Sequence, residues 1–597
     1  MKNKKQTMIT MPGLPDELFT DRQEYLNYFY EEALLAATQR SASTVLLGQR
    51  RMGKTEIFRR VVNRLFDEQD PNNPKAIVPV YYNFEDIMHT PNRFAIDYLE
   101  NFSRYYVAFY LRDTEIIIER YSGEALKKAL ESAKSTHPSP DSFRLLQDWL
   151  TIVELESTVY PQSVALQAPG RIAFTEEIGV AVFLDEFQNV RMPHQNNFDL
   201  VGFFQDAVVT PYAPHFVTGS AVGILVRDII GVGPLFGRFW SKPIKPLSDY
   251  WGEELVTKAC TYYGVPIEPL IAPVLSNRCG GNPFYIHSVV RQAAKLRRNI
   301  MDEEAINNLL AVDISSGFIW SELLAQVNSW IRRINDKNIT KWILYLSALE
   351  EEEEISLERI QQELKKREGT HIELDHIRDV LVRLSDGDLL EYLQFGDWFR
   401  KMDDPILVDF LRVWGRVEVE RQNREQVQNE ITLRYDRIQR TFNEYKGYLA
   451  EVFMAQVLLS SYEFDAYPGH FFNSESDIPI RAPVIFVNHR VRPRSGAGND
   501  IDILASIGGH MWVCQSKWVV DRKMSVKVVQ ELLDQAAYIQ TKDNPRILYK
   551  WLFAHNGLTD DALKLAEKEN VFWSTREQLD NLMTFLGLRK LPKDIAF

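Results

Sequence analysis

The chain is predicted to be an α/β protein: a parallel sheet covered by helices, then a helical stretch, then a second and smaller α/β region. Three observations carry this. A short apolar strand, Thr44–Leu47, runs into a glycine-containing turn and a helix through Leu65. Further strands at 76–84, 180–184 and 214–220 alternate with helical stretches, the pattern of strands laid parallel through helical crossovers. After Lys446 the order becomes helix, strands, helix, strand, helix.

Length and composition bound the reading. The 597 residues allow about three to five domains. The chain is 45% hydrophobic and 25% charged, ordinary globular values, so most of it should fold. No stretch of about 18 apolar residues is present, so no membrane span or membrane partner is expected. The first eleven residues are basic and polar without an apolar signal core, which points to the cytoplasm. Cys260, Cys279 and Cys514 are far apart and form no CxxC pair, which suits a reducing compartment and buried thiols and argues against structural zinc. A net charge of −13 is not that of a nucleic-acid coat. The charge is uneven: residues 446–597 hold 18 Lys and Arg against 18 Asp and Glu, so the first 445 residues carry the whole excess. A neutral C-terminal region can still present a basic face.

Taken in order, a helical lead-in at 23–37 precedes the first strand, and the sheet region spans 15–248. Residues 249–336 read as helical, interrupted at Gly280-Gly281-Asn282-Pro283. Residues 337–415 read as three helices and two short strands around 389–399, a pattern resembling a winged helix. Its five consecutive glutamates, Glu350 to Glu354, read as a solvated helix end. Residues 416–445 are polar and helical, a connector, and 446–597 form the last region.

Gly48-Gln49-Arg50-Arg51-Met52-Gly53-Lys54-Thr55 fits G-x-x-x-x-G-K-[ST] between a strand and a helix, the context that the motif needs. Glycines let the backbone turn tightly and aim N–H groups at phosphate oxygens, and the helix N-terminus favours an anion. Lys54 is expected on the β- and γ-phosphates of ATP, and Thr55 on Mg²⁺. Strand 180–184 delivers Asp185 and Glu186 to the sheet edge. Asp185 would hold the magnesium through water, and Glu186 would polarise the attacking water.

Several segments resemble STAND-type AAA+ ATPases, a group with many archaeal members, over residues 15–415. Phe19-Thr20-Asp21-Arg22-Gln23-Glu24-Tyr25-Leu26 is similar to the lead-in of that family, with Asp21 where glycine is usual and the acidic residue shifted by one. Thr218-Gly219-Ser220 resembles the sensor strand, which implies a γ-phosphate sensor at Ser220. Gly233-Pro234-Leu235-Phe236-Gly237-Arg238 resembles a P-L-x-G-R segment, which makes Arg238 the candidate for neutralising transition-state charge. Gly281-Asn282-Pro283 resembles the lid element that bends near the nucleotide, so Pro283 joins the expected nucleotide-binding residues. The segment from Arg400 to Leu407 also looks like that family.

The C-terminal region is similar to the Mrr-like branch of PD-(D/E)xK nucleases, with a restriction-endonuclease-like α/β fold implied. The resemblance rests on Glu451 in a helix, the strand Asp500-Ile501-Asp502-Ile503-Leu504, and Gln515-Ser516-Lys517 at the end of a strand, then on a helix over 526–532, an A-x-x-x-A helix at 562–566 and a last strand at 571–573. Phosphodiester hydrolysis needs a metal to activate water and neutralise a nonbridging oxygen. Asp502 would be a hard ligand for Mg²⁺, Lys517 would orient the water or stabilise charge, and Gln515 would offer a neutral carbonyl where many relatives have a carboxylate, with Glu451 restoring negative charge. Alternation puts Asp500 and Asp502 on one face, so periodicity alone leaves both open; Asp502 is chosen for its I-D pattern. The segment from Arg490 to Gly496 suits a loop touching a phosphate backbone.

These resemblances imply an ATP-dependent nuclease acting on DNA in prokaryotic defence, with a homo-oligomer expected by analogy. An alternative stays open: a nucleotide-switched DNA-binding regulator or scaffold whose nuclease-like region only grips nucleic acid. A transposition or repair role is not separated from defence.

Overall fold

The computed structural model describes residues 8–590 except 85–89, 137–140, 156, 191–199, 220–222, 224, 232, 335–336, 370, 394–395, 461–463, 481–483, 485, 492–499, 508 and 521. Two compact units emerge. The first is Met1–Tyr263, Cys279–Gln292 and Val312–Val427; the second is Gly264–Arg278, Ala293–Ala311 and Gln428–Phe597.

The first unit is a P-loop type α/β arrangement. Its five strands are β1 (Thr44–Leu47), β2 (Ile77–Asn83), β3 (Gly179–Asp185), β4 (His215–Thr218) and β5 (Trp240–Pro243), all parallel, in the order β2-β3-β4-β1-β5. β3 is buried along its whole length, which is why its sequence is a continuous apolar run rather than an alternation. The chain leaves β1 toward one side of the sheet and leaves β4 toward the other, so the carboxyl ends of these neighbouring strands flank a crevice, the usual ligand position in such sheets. Five helices lie between β2 and β3 (Pro91–Leu111, Glu115–Ile118, Gly123–Thr136, Asp141–Glu154 and Pro161–Thr175), an insertion of which the strand pattern gave no sign.

Later in this unit, helices Lys337–Leu349, Leu357–Glu368 and Leu374–Asp386 precede an antiparallel pair, β6 (Glu391–Leu393) and β7 (Trp398–Arg400). The glutamate run ahead of them is not simply solvated. Glu350 is buried and pairs with Arg359 at 2.6 Å, and Glu353 pairs with Arg400 at 3.3 Å.

One 36-residue helix, Arg424–Leu459, passes through the expected connector and through Gly447, where the sequence suggested a fresh start. Glycine inside a helix costs only about 1 kcal/mol, which packing of the flanking residues overrides. In the second unit, β8 (Ala466–Tyr467) pairs with β9 (Ile478–Pro479). A five-stranded mixed sheet follows: β10 (Phe486–Val491), β11 (Ile501–Ile507), β12 (His510–Lys517), β13 (Ile547–Ala554) and β14 (Phe572–Ser574), neighbouring in chain order. β10, β11 and β12 are antiparallel; β12, β13 and β14 are parallel. Trp512, Cys514, Trp551 and Phe553 pack into one apolar core, and Val513, Leu552 and Ala554 into another with helix Val526–Asp543. The three cysteines are free and buried, and no helix among the described residues is long and apolar enough to cross a membrane.

Candidate nucleotide and metal sites

The turn after β1 is built as its sequence requires. A Cβ on Gly48 would run into the backbone and side chain of Ile244, so only glycine fits there. Gly53 has φ 87° and caps the helix Lys54–Glu68, whose first turn is where an anion is favoured. Lys54 is 7% exposed and donates to the carbonyls of Gly48 and Gln49, both at 2.7 Å. Burial pushes its pKa down to about 8, against the opposing pull of Asp388, Asp185 and Glu186.

Asp185, at the buried end of β3, accepts from Tyr81 Oη at 2.9 Å and from the backbone N–H of Glu186 at 2.9 Å. Burial and then the Glu186 charge raise its pKa; hydrogen bonds from Thr55 and Tyr81 oppose the rise. Thr55 and Asp185 are therefore brought together, as expected for a pair sharing one cation. The Glu186 carboxylate accepts from the amide of Gln188, and its backbone is left-handed at φ 51°.

A cavity of about 490 Å³ opens here. Met52, Gly53, Lys54, Thr55, Asp185 and Glu186 line one part; Leu18, Thr20, Arg22, Pro283 and His287 line another. Asp21 has φ 58° and Arg22 φ 71°. This explains how an aspartate can occupy a position where glycine is usual, since Asp tolerates the left-handed region better than most residues. Arg50 and Arg51 of the loop also have protein partners. Arg51 donates to Gln326 Oε1 at 2.9 Å and lies 3.5 Å from Glu322, and Arg50 lies 3.9 Å from Asp388. Gln326 in turn donates to the carbonyl of Gly387 at 2.8 Å. Asp388, Gln326 and Tyr81 were not read from the sequence; Arg22 was read only as part of the lead-in segment. Only the Asp386-Gly387-Asp388 turn carried a local signal, and that signal was for a turn, not a site.

One expected residue is not brought in. Arg238 stands at the head of β5 after a short 3₁₀ turn and does not line this cavity. The short Gly233–Leu235 turn leaves it half-exposed, and its motif fixed a turn without fixing a direction. Ser220 lies outside the described residues, just after β4.

The second candidate site joins three separated segments. Ser516 donates its backbone N–H to Asp502 Oδ2 at 2.7 Å, and Ser516 Oγ donates to the carbonyl of Gly447 at 3.3 Å, tying β12 to the long helix. Ile503 pairs with Cys514 in the β11–β12 register, and the next pair outward sets Asp502 opposite Gln515. Opposite residues share a face, and Lys517, two residues on, shares it too. Glu451 is 5% exposed and accepts from Arg490 Nε at 3.4 Å. Burial and then Asp502 raise the pKa of Glu451, and burial raises that of Asp502; Arg490 and Lys517 oppose both shifts. The Asp502 charge thus acts on Glu451. Gln515 is 1% exposed, and its Oε1 is buried without a hydrogen-bond partner among the described residues. A buried amide oxygen without a donor is costly unless something else satisfies it. Among the described residues, no three His, Cys, Asp or Glu side chains are grouped to hold a metal. A cation here would rest on Asp502, Glu451 and the Gln515 carbonyl, and that oxygen-only donor set suits magnesium. Of the segment from Arg490 to Gly496, residues 492–496 lie outside the described residues.

No protein-family model matches the chain, and no curated protein sequence does. Among solved structures, a Walker-type ATPase of Pyrococcus abyssi aligns over 67% of this chain and 98% of its own, at 18% identity and TM-score 0.40. The Aeropyrum pernix ORC2 protein in ADPNP–ADP complexes covers 72% and 96% at 15% identity and TM-score 0.38. The Thermotoga maritima RuvB Holliday junction branch migration motor covers 66% and 96% at 13% identity and TM-score 0.30. Likeness at this level is of broad outline only.

Proposed function

We propose that this chain binds and hydrolyses ATP at the turn from Gly48 to Thr55 and cuts DNA in a metal-dependent reaction at Asp502, Gln515 and Lys517. The observation that carries the first half is the convergence of Lys54, Thr55, Asp185 and Glu186 on one cavity. The backbone N–H groups of the turn and Lys54 would hold the phosphates; Thr55 and Asp185 would hold Mg²⁺, which supplies charge neutralisation when bound. Glu186 would orient water for attack on the γ-phosphorus, with the β–γ oxygen leaving. Arg238 does not line this cavity, so a part for it in neutralising that charge would require it to come from a second copy of the chain.

For the second half, the support is the Gln515 amide oxygen, buried without a partner among the described residues, together with the Asp502 charge acting on Glu451. A bound magnesium would supply Lewis acidity toward the scissile phosphate. Lys517 would hold the attacking water or the developing negative charge. The two halves are tested separately. Lys54→Ala should lose ATP turnover. Lys517→Ala should lose plasmid nicking in Mg²⁺ while keeping turnover. Equal nicking by wild type, Lys517→Ala and Asp502→Asn would sink the nuclease assignment.

One observation favours a second reading: Gln515 stands where a carboxylate would give stronger metal binding. On that reading the region grips DNA without cutting, and the chain is a nucleotide-switched regulator. Salt-sensitive DNA binding without nicking in either Mg²⁺ or Mn²⁺ would select it.

A further inference from the structure

The helix that carries Glu451 also carries two aromatic rings that the cutting chemistry does not use. Tyr445 is 70% exposed and Tyr448 is 47% exposed. Residues 445, 448 and 451 are spaced three apart, so they form one stripe along the helix. The stripe runs from open solvent to the buried carboxylate. Arg490 links Tyr448 to Glu451: its guanidinium lies 5.1 Å from the centre of the Tyr448 ring while its Nε meets Glu451. Ser516 Oγ bonds the carbonyl of Gly447, between the two tyrosines, so this turn is fixed against the strand that ends in Lys517.

Large exposed rings on a helix leave apolar area in water that folding does not bury. What covers them must bring flat apolar faces and tolerate the cations Arg490 and Lys517 nearby. Nucleic-acid bases meet both needs, with phosphates between them. In a duplex the faces of each base are already stacked on their neighbours; an unpaired base offers its face freely. Resting on the reading of Asp502, Gln515 and Lys517 as a phosphodiester-cutting centre, we infer that this site takes nucleic acid with unpaired bases, stacked on Tyr448 and Tyr445 as the strand enters. The substrate class is a single strand, an overhang or a flap, rather than intact duplex.

The test uses the full chain and short fluorescein-labelled oligonucleotides: a DNA single strand, the RNA of the same sequence, and the matching DNA duplex. Anisotropy should give at least roughly ten-fold tighter binding to single strand than to duplex, with about ten-fold lost per tyrosine in Tyr445→Ala and Tyr448→Ala. Tyr445→Phe and Tyr448→Phe keep the rings and should bind as wild type. The DNA and RNA arms tell which sugar is preferred, and preference for either single strand supports the inference. Equal affinity for single strand and duplex overturns it, as do alanine variants that bind as wild type, or phenylalanine variants that lose as much as the alanine ones. If the stacking effect is present while wild type cuts nothing, the cutting reading fails and the stacking surface stands.

Discussion

The two candidate sites solve the problem of buried charge in opposite ways. At the first, cations are crowded into the interior and the protein supplies its own partners: Lys54 donates to two carbonyls, Arg51 to Gln326, and Arg50 faces Asp388. At the second, carboxylates are crowded together and one neighbouring amide oxygen is left with no donor. Burying a charge costs several kcal/mol unless it is paired. The first site therefore holds its groups ready with protein partners that a triphosphate must displace, whereas the second pairs Glu451 with Arg490 and Asp502 with the Ser516 N–H but gives the Gln515 oxygen no donor among the described residues. One site is closed by its own chain; the other is incomplete.

The largest effects should come from deleting the single cation of each proposed chemistry. Lys54→Ala should lower ATP turnover by roughly 10²–10³-fold, and Lys517→Ala should do the same to nicking, each leaving the other activity intact. Loss of both activities in either variant would break the separation.

The incompleteness of the second site predicts the next effect. Gln515→Glu should tighten Mg²⁺ binding, read by calorimetry, and make the metal-free protein less heat-stable, since a third carboxylate would be buried beside Glu451 and Asp502. Gln515→Leu should weaken the metal and leave the metal-free protein as stable or more so. Unchanged metal affinity in both variants would remove Gln515 from the donor set.

A smaller effect concerns pH at the first site. Lys54 binds phosphate as an ammonium, and its pKa is held down to about 8, so ATP affinity should fall as the pH rises through 8. Asp388 works against that depression. Asp388→Asn should therefore move the fall to lower pH, by several-fold in affinity at a fixed pH near 8. Titration of ATP on either side of pH 8 checks the sign; a shift to higher pH would mean that Asp388 does not support the ammonium.

The smallest is local. Gln326→Ala removes the amide that links Arg51 to the Gly387 carbonyl and should cost about 1–3 kcal/mol in urea unfolding, with little change in Mg²⁺ binding by the second site.

Much of the first site was legible because its residues are contiguous. Gly48, Gly53, Lys54 and Thr55 fall within eight positions, and each has a local reason to be the residue that it is. Asp185 and Glu186 were legible because a fully buried strand must end at the sheet edge. Asp388 and Gln326 were not, because nothing near them in sequence marks what they face. The helical insertion between β2 and β3 went unread for a related reason: amphipathic helices signal themselves, but not the strands that they separate. Alternation gives Asp500 and Asp502 the same face, so it could not choose between them.

The amino-acid sequence by itself determined the glycine-containing turn from Gly48 to Thr55, four of the five parallel strands around it and the order of elements after Lys446, because backbone geometry, strand burial and helix periodicity are local properties. Tertiary structure alone decided that Arg50 and Arg51 turn toward Asp388 and Gln326, that Arg238 stays away from Lys54, and that Gln515 is buried without a donor. Those outcomes depend on which distant groups fill the space around a charge, and a charge buried in protein is governed by its neighbours in space rather than along the chain.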